Sequence, residues 1–468
     1  MACSSPSVIG SWHTPEKHTS CKFAVPACGK VRGIVWILAV VVAVGCGTCV
    51  LSQTTQGAKD YLSASPADLQ WFRDAKFGMF VCWGPVTLTG KEIGWSRGEP
   101  PWGRRPGMRG GKGPTPVDVY DSLYKKWKPE HFDARQWVRV AKDAGARYMI
   151  FLVKHHDGFC LYDTNLTDHK IAGPESAWQV DVMKQIADAC HESGLKLIVY
   201  YSQPDWHHPD YLTDQHERYI TYLHGQIREL LTHYGRIDGL WFDGLRPRGE
   251  KRHGDKYGGA EMWQAEKLFK MARSLQPHLI INNRCGLPGD FDTPEQRVGR
   301  YQPGRAWESC ITLGTQWAWK PDDRLKSLKE CVDLLVRCAG GGGNLALNTN
   351  PMPDGLIEPR QAERFREIGR WLDKTGESIY ATHAGPFEPG PWGASTQRQE
   401  TVYVHILQWE NESIILPAIK QKITGSSLLT GGTVQVTQSE KGIEISVPAS
   451  DRNELDTIVV LQLGEPGG

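Results

Sequence analysis

With 54 basic and 53 acidic side chains in 468 residues, the chain carries a formal charge of +1, which excludes a global field for nucleic acid or an anionic membrane. Hydrophobic residues at 40% and charged ones at 23% exclude wholesale disorder and a polytopic membrane protein, and the length suits a barrel of about 250 residues beside a smaller domain. A neutral substrate fits such a charge balance, and 18 tryptophans supply flat rings suited to the apolar faces of sugars.

The chain begins with a leader, residues 1–52. Lys17, Lys22, Lys30 and Arg32 precede a wholly apolar run at 34–44, and the small residues Gly45, Gly47 and Thr48 follow it. That order predicts a secretion signal. Extended through Cys46 and Cys49 to Leu51, the run approaches the about 20 residues of an uncleaved membrane anchor. Gly45-Cys46 also resembles a lipoprotein junction with Cys46 acylated, although Ala43 departs from the usual bulky residue. The expected destination is outside the cytoplasm: periplasmic, extracellular, or anchored on the outer side. Cys3, Cys21, Cys28, Cys46 and Cys49 belong to this leader, and the other cysteines show no CxxC or zinc-type spacing. Buried thiols are expected of them, with room for one or two disulfides.

From 53 to 380 short apolar runs alternate with amphipathic stretches, the pattern of repeated βα units and a parallel sheet. Strands are predicted at 77–81, 148–153, 197–201, 239–242 and 279–281, and helices at 134–144 and 180–193, with Gly194 as a helix stop. Each strand runs into a polar or aromatic cluster: Trp83, His155-His156-Asp157, Ser202-Gln203, Asp243, then Asn283-Arg284. In a (β/α)8 TIM-like barrel those ends share the face that carries the active site. The Gly-, Pro- and Arg-rich stretch 95–116 interrupts the rhythm, either as a long loop that shapes the entrance of the cleft or as a disordered insertion. Residues 381–468 change to period-two alternation at 401–407, 432–436, 443–447 and 457–461, which predicts a small C-terminal antiparallel β-sandwich.

Carboxylates on two different strand ends suit retaining cleavage of a glycosidic bond, which needs a nucleophile and an acid about 5–5.5 Å apart. Asp243, at the end of Leu240-Trp241-Phe242, is the first candidate, against the plainer role of capping the next helix. Asp290, Asp292 and Glu295 share the loop after the 279–281 strand, and composition does not choose among them. Arg284, just before that loop, can anchor a sugar hydroxyl or hold the acid. His155, His156, His207 and His208 raise the question of zinc, but no HxxxH or HxH spacing occurs and the pairs sit on different strands. No metal and no cofactor is expected.

Several motifs in one order make a resemblance specific. They are Trp71-Phe72-Arg73-Asp74-Ala75-Lys76-Phe77-Gly78 with Trp83-Gly84, Lys154-His155-His156-Asp157-Gly158-Phe159, Tyr200-Tyr201-Ser202 and Leu240-Trp241-Phe242-Asp243-Gly244. Thr293-Pro294-Glu295-Gln296, Trp307-Glu308, Gly343-Asn344-Leu345-Ala346-Leu347-Asn348 and Gly369-Arg370-Trp371-Leu372 follow. Over residues 60–385 the chain resembles the family 29 glycoside hydrolases, the retaining α-L-fucosidases.

The resemblance implies a fucosylated glycan as substrate, Asp243 as nucleophile and Glu295 as general acid/base. It implies His155, His156, Arg284, Trp241, Trp95, Trp83 and Cys82 around the sugar, with Tyr201 preferred over Tyr200 as the tyrosine beside the nucleophile. Two departures touch recognition. Cys82 stands where many relatives carry histidine, and Gly94 precedes Trp95 where glutamate is usual, with Glu92 close enough to substitute for it. The alternatives are an enzyme for a related sugar such as α-L-galactose, and a non-catalytic protein that binds fucose.

Overall fold

The computed structural model describes residues 60–105, 108–244 and 259–464. The leader expected at 1–52 lies outside them. Eight apolar segments pair in parallel: β1 (Phe77–Val81), β2 (Tyr148–Lys154), β3 (Lys196–Tyr201), β4 (Gly239–Phe242), β5 (Ile280–Ile281), β6 (Phe291–Asp292), β7 (Ala306–Thr312) and β8 (Asn344–Thr349). Their order is β5-β4-β3-β2-β1-β8-β7-β6, and a parallel bridge between Asn282 and Phe291 brings the two edges together into a near-closed barrel. All residues of β1, β2, β7 and β8 are buried, as expected of strands covered on both faces.

Helix α1 (Pro66–Ala75) leads into β1; α2 (Val117–Ser122) and α3 (Ala134–Asp143) follow it. The outer layer continues with α4 (Val182–Ser193), α5 (His216–His233), α6 (Ala265–Leu275), α7 (Leu328–Gly340) and α8 (Pro359–Thr375). Local chemistry fixes their ends. The Asp133 carboxylate accepts from the backbone of Arg135 and Gln136 at the start of α3, and Asp181 accepts from Lys184 at the start of α4. Gly194 ends α4 at φ 70°, the stop its position predicted. Ser327 and Glu330 form a reciprocal capping box on α7.

One feature departs from eight regular βα units. No helix follows β5 or β6 among the described residues. Between them the chain turns through Gly286 (φ +81°) and Gly289 (φ +57°), and a Cβ on Gly289 would lie 2.4 Å from the Asn282 carbonyl oxygen. The short path leaves the loop after β6, which carries Glu295, free to approach the barrel mouth.

After α8 come β9 (His383–Ala384), β10 (Gly393–Arg398), β11 (Thr401–Ile406), β12 (Ser413–Leu416), β13 (Ile423–Leu428), β14 (Gln435–Ser439), β15 (Gly442–Ser446) and β16 (Thr457–Leu463). They form two antiparallel sheets, ordered β13-β16-β11-β10-β9 and β12-β15-β14. Val402, Val404 and Ile406 of β11 share a core with Ile443 and Ile445 of β15, whereas Tyr403 between them packs on Ile458 and Val460. Arg337 and Lys329 of α7 donate to the carbonyls of Gly390 and Leu407, at 2.6 and 3.0 Å, and so tie this region to the barrel. The cysteines outside the leader (Cys82, Cys160, Cys190, Cys285, Cys310, Cys331 and Cys338) are all free and buried, so the disulfides the sequence left room for do not form.

Candidate active site

Asp243 follows β4 directly and reaches the barrel mouth with a fifth of its side chain exposed. Three elements converge on it. The Arg284 Nη1 lies 2.8 Å from Oδ1, the Tyr200 hydroxyl donates to Oδ2 at 2.6 Å, and the His156 Nε2 stands 3.5 Å from Oδ2. Burial alone would raise this carboxyl, but Arg284, His156 and the Tyr200 hydroxyl hold it down to about 2. It is therefore an anion throughout the working pH range.

Arg284 also reaches the second carboxylate: its Nη2 lies 3.0 Å from Glu295 Oε2. One guanidinium between both acids sets them on the few-ångström scale that glycosidase pairs use. Arg284 is fixed in turn. Its Nε donates to Thr293 Oγ1 at 2.8 Å, and its guanidinium lies over the Trp241 ring, 4.5 Å from the centroid. The other acids of the loop are spent elsewhere. Asp290 pairs with Arg273 at 2.7 Å and accepts from the Ala64 and Ile281 amides. Asp292 is taken by Asn283 and Arg305. Glu295, a third exposed, is the loop's carboxylate that shares an arginine with Asp243.

His155 and His156 form the opposite wall. Both are buried, with ring centroids 4.1 Å apart, and one ring nitrogen of each lies within 4.8 Å of an Asp243 oxygen and of the other. His156 Nδ1 meets Ser202 Oγ at 2.6 Å, while Trp206 and Trp95 pack on its ring at 5.0 and 5.6 Å. Burial, against the opposing pull of Asp243 and aided by the Lys154, Arg109 and Arg284 charges, lowers His156 to about 4; burial and His156 push His155 well below the usual imidazole range. Both are neutral near pH 7, able to donate from one nitrogen and accept at the other. His207 and His208 turn away from them, His207 stacking on His169 and His208 packing on Tyr219 and Tyr222.

The two departures acquire physical reasons. Gly94 has φ +65°, and a Cβ there would lie 2.4 Å from His155 Nδ1, so this turn has no room for a glutamate. Glu92 instead folds inward and accepts from the amides of Trp317 (2.9 Å), Ile93 (2.9 Å) and Ala318 (3.2 Å); burial raises its carboxyl despite those donors. Cys82 is buried within the electrostatic reach of Glu92, Asp243 and Glu295, and burial first, then Glu92, pushes its thiol well up, which keeps it neutral.

Two expected site residues lie elsewhere. Tyr201 points away from Asp243: its hydroxyl donates to Gln226 of α5 at 2.7 Å, and its ring lies under the Lys154 ammonium. Tyr200 takes the position beside the nucleophile. Trp83 is fully buried outside the barrel interior, packed on Trp127, Phe132 and Trp137, and its Nε1 donates to the Met352 carbonyl. Both corrections have one cause, the alternation of side chains along a strand. Trp241 and Asp243 share a parity, and Trp241 pairs in register with Tyr200, which puts Tyr200 on the site's side. Phe80, which packs on Trp241 and Tyr200, shares its parity with Cys82 and excludes Trp83. Trp206 was missed by the sequence pattern; Ser202 was named in the strand-end cluster Ser202-Gln203 and Glu308 in Trp307-Glu308, but neither carried a role.

Paired carboxylates bridged by an arginine, walled by histidine and tryptophan at the C-terminal mouth of a parallel barrel, define a glycoside hydrolase. The alpha-L-fucosidase family model matches residues 49–377, and the chain belongs to that family. It is 28% identical to plasma alpha-L-fucosidase of Rattus norvegicus over 72% of this chain and 77% of the relative. Among solved structures it resembles alpha-L-fucosidase isoenzyme 1 of Paenibacillus thiaminolyticus, with TM-score 0.71 and 33% identity over 85% of this chain and 99% of that one. It is also similar to an alpha-L-fucosidase of Bacteroides thetaiotaomicron, with TM-score 0.72 and 25% identity over 86% and 96% of the two chains.

Proposed function

We propose that this protein removes terminal α-L-fucosyl residues from glycans with retention of configuration, through a fucosyl-enzyme formed on Asp243. The observation that carries this reading is the bridge of Arg284 to both Asp243 and Glu295. Asp243 attacks the anomeric carbon while Glu295 protonates the departing oxygen; Glu295 then takes a proton from the water that releases fucose. Neutral His155 and His156 meet ring hydroxyls, and Trp241, Tyr200 and Phe80 supply the flat apolar surface beneath the sugar. The leader supports export, with action on glycans outside the cytoplasm. Sequencing the mature N-terminus after cell fractionation tests that part, and an intact Met1 in the cytosol overturns it.

The deciding experiment compares wild type with Asp243→Asn on 4-nitrophenyl α-L-fucoside and on the α-L-galactoside. Release from the fucoside with a loss of about 10⁴ or more in kcat for the variant supports the reading. A folded wild type silent on both substrates refutes it in favour of sugar binding alone. Following the anomer first released by NMR tests retention separately.

A further inference from the structure

The entrance loop holds a concentration of positive charge that hydrolysis of a neutral fucoside does not use. Residues 98–113 contain Arg104, Arg105, Arg109 and Lys112 against one carboxylate, Glu99. The loop is held in place. Its arms pair through Gly98 N to Thr115 O (2.7 Å) and Gly113 N to Arg97 O (2.9 Å), and the fully buried Arg97 binds Asp121 through two 2.6 Å bonds. Arg104 donates to the carbonyls of Gly110 and Met108, and Arg105 to those of Pro209 and Tyr211. These two arginines fasten the loop to itself and to the segment after β3.

Arg109 and Lys112 do none of this. Both are exposed, and neither has a hydrogen bond or ion pair among the described residues. Their placement follows from their neighbours. Gly110 lies so close to Trp206 that a Cβ would stand 2.3 Å from its ring, and Trp206 packs on His156 (5.0 Å) and Trp95 (5.1 Å). Arg109 thus flanks the outer side of the aromatic wall whose inner side faces Asp243, and its charge is felt at His156. On the other arm, a Cβ on Gly113 would meet the Trp95 carbonyl oxygen at 2.5 Å, which sets Lys112 one residue from that tryptophan's backbone. Two indoles stand open on the same loop, Trp95 at 44% and Trp102 at 43% exposure, the latter with Arg105 over its ring.

We infer that the sugar on the leaving side of the bond carries an anionic group, a sulfate ester or a carboxylate, and that Arg109 and Lys112 recognise it. This rests on the fucosidase reading and adds the class of glycan. Open indoles suit the faces of that sugar, and cations without counter-ions suit its charge. Because both cations are exposed, salt weakens the recognition.

The test uses fucosyl disaccharides of one linkage whose leaving sugar is neutral, sulfated or carboxylated. At low salt wild type should favour an anionic form by about tenfold in kcat/KM, the order expected of two exposed charge contacts, and the preference should fade at about 0.5 M salt. The sulfated and carboxylated arms identify which anion is read. The Arg109→Ala/Lys112→Ala variant, checked for folding by its melting temperature, should bring the anionic-to-neutral ratio close to one. A wild-type ratio near one for both anions, or a ratio the variant leaves intact, overturns the inference. Failure of the fucosidase reading shows separately, as no release from 4-nitrophenyl α-L-fucoside. In that event calorimetric affinities for the same three disaccharides decide the inference, equal affinities refuting it.

Discussion

Asp243 at the barrel mouth and Glu308 in the barrel interior lie in the field of the same arginine and end in opposite states. Asp243 has the Arg284 guanidinium at 2.8 Å and is held down to about 2. Glu308, fully buried on β7, has only neutral donors among the described residues, the Tyr148 hydroxyl at 2.5 Å and the Trp241 Nε1 at 3.0 Å. Burial raises it to about 7, against those two donors and Arg284. The arginine is beyond hydrogen-bond contact with Glu308 and lies on the ring of the tryptophan that Glu308 anchors. Direct contact with the cation makes one carboxyl a permanent anion; a ring between makes the other a titrating brace for the aromatic floor.

Removing the cation attacks this comparison most strongly. Arg284→Gln strips Asp243 of its charge partner in a buried setting, and kcat/KM on an aryl fucoside should fall by about 10² to 10³. The acid limb of the pH–rate profile should move up with it, since Asp243 would need less acid to protonate. A limb that stays in place would show that His156 and Tyr200 suffice to keep Asp243 ionised. Glu295→Gln should cost about 10² to 10⁴ on a glycan, and far less on an aryl fucoside whose leaving group needs no proton. Equal losses on both substrates would remove Glu295 from the acid role.

The two tyrosines of β3 give a smaller, paired test. Tyr200→Phe should lower kcat/KM about tenfold and raise the acid limb, because Asp243 loses a 2.6 Å donor. Tyr201→Phe should leave the pH profile in place and lower the melting temperature, since Gln226 loses its partner in the packing against α5. Reversed outcomes would restore the tyrosine that the resemblance favoured.

This pair also marks what the sequence could carry. Short apolar runs made β1 to β5 legible, and amphipathic stretches before the next strand made α3 and α4 legible, with Gly194 marking the end of the latter; α7 was not read. β6 is two residues, held by its neighbours rather than by any pattern of its own, and half-exposed strands such as β12 and β14 give weak alternation. Asp243 was visible as a carboxylate after an apolar strand. The choice between Tyr200 and Tyr201, or between Cys82 and Trp83, depends on strand register, which comes from pairing with a partner whose phase composition does not state. Glu308 was visible as a residue, but its depth was not, because depth depends on Trp241 closing over it from another strand.

The smallest effect on turnover, and the sharpest on the interior half of the comparison, comes from Glu308→Gln. The amide keeps an acceptor for Trp241, and its NH2 can face the Tyr148 oxygen once that hydroxyl turns its own proton away, as a protonated Glu308 also requires, so the floor should hold its shape and kcat/KM change less than about threefold. Stability is where the difference appears. A carboxyl raised from 4.5 to about 7 binds its proton more tightly in the folded chain, so its contribution is complete below about 4.5 and is lost as pH rises through about 7. Glutamine has no proton to lose. Relative to wild type the variant should therefore gain about 3 kcal/mol between pH 5 and pH 8, measured by denaturant unfolding at both. A constant difference across that range would mean that Glu308 keeps one charge state, and that the barrel interior and its mouth do not differ in the way their partners require.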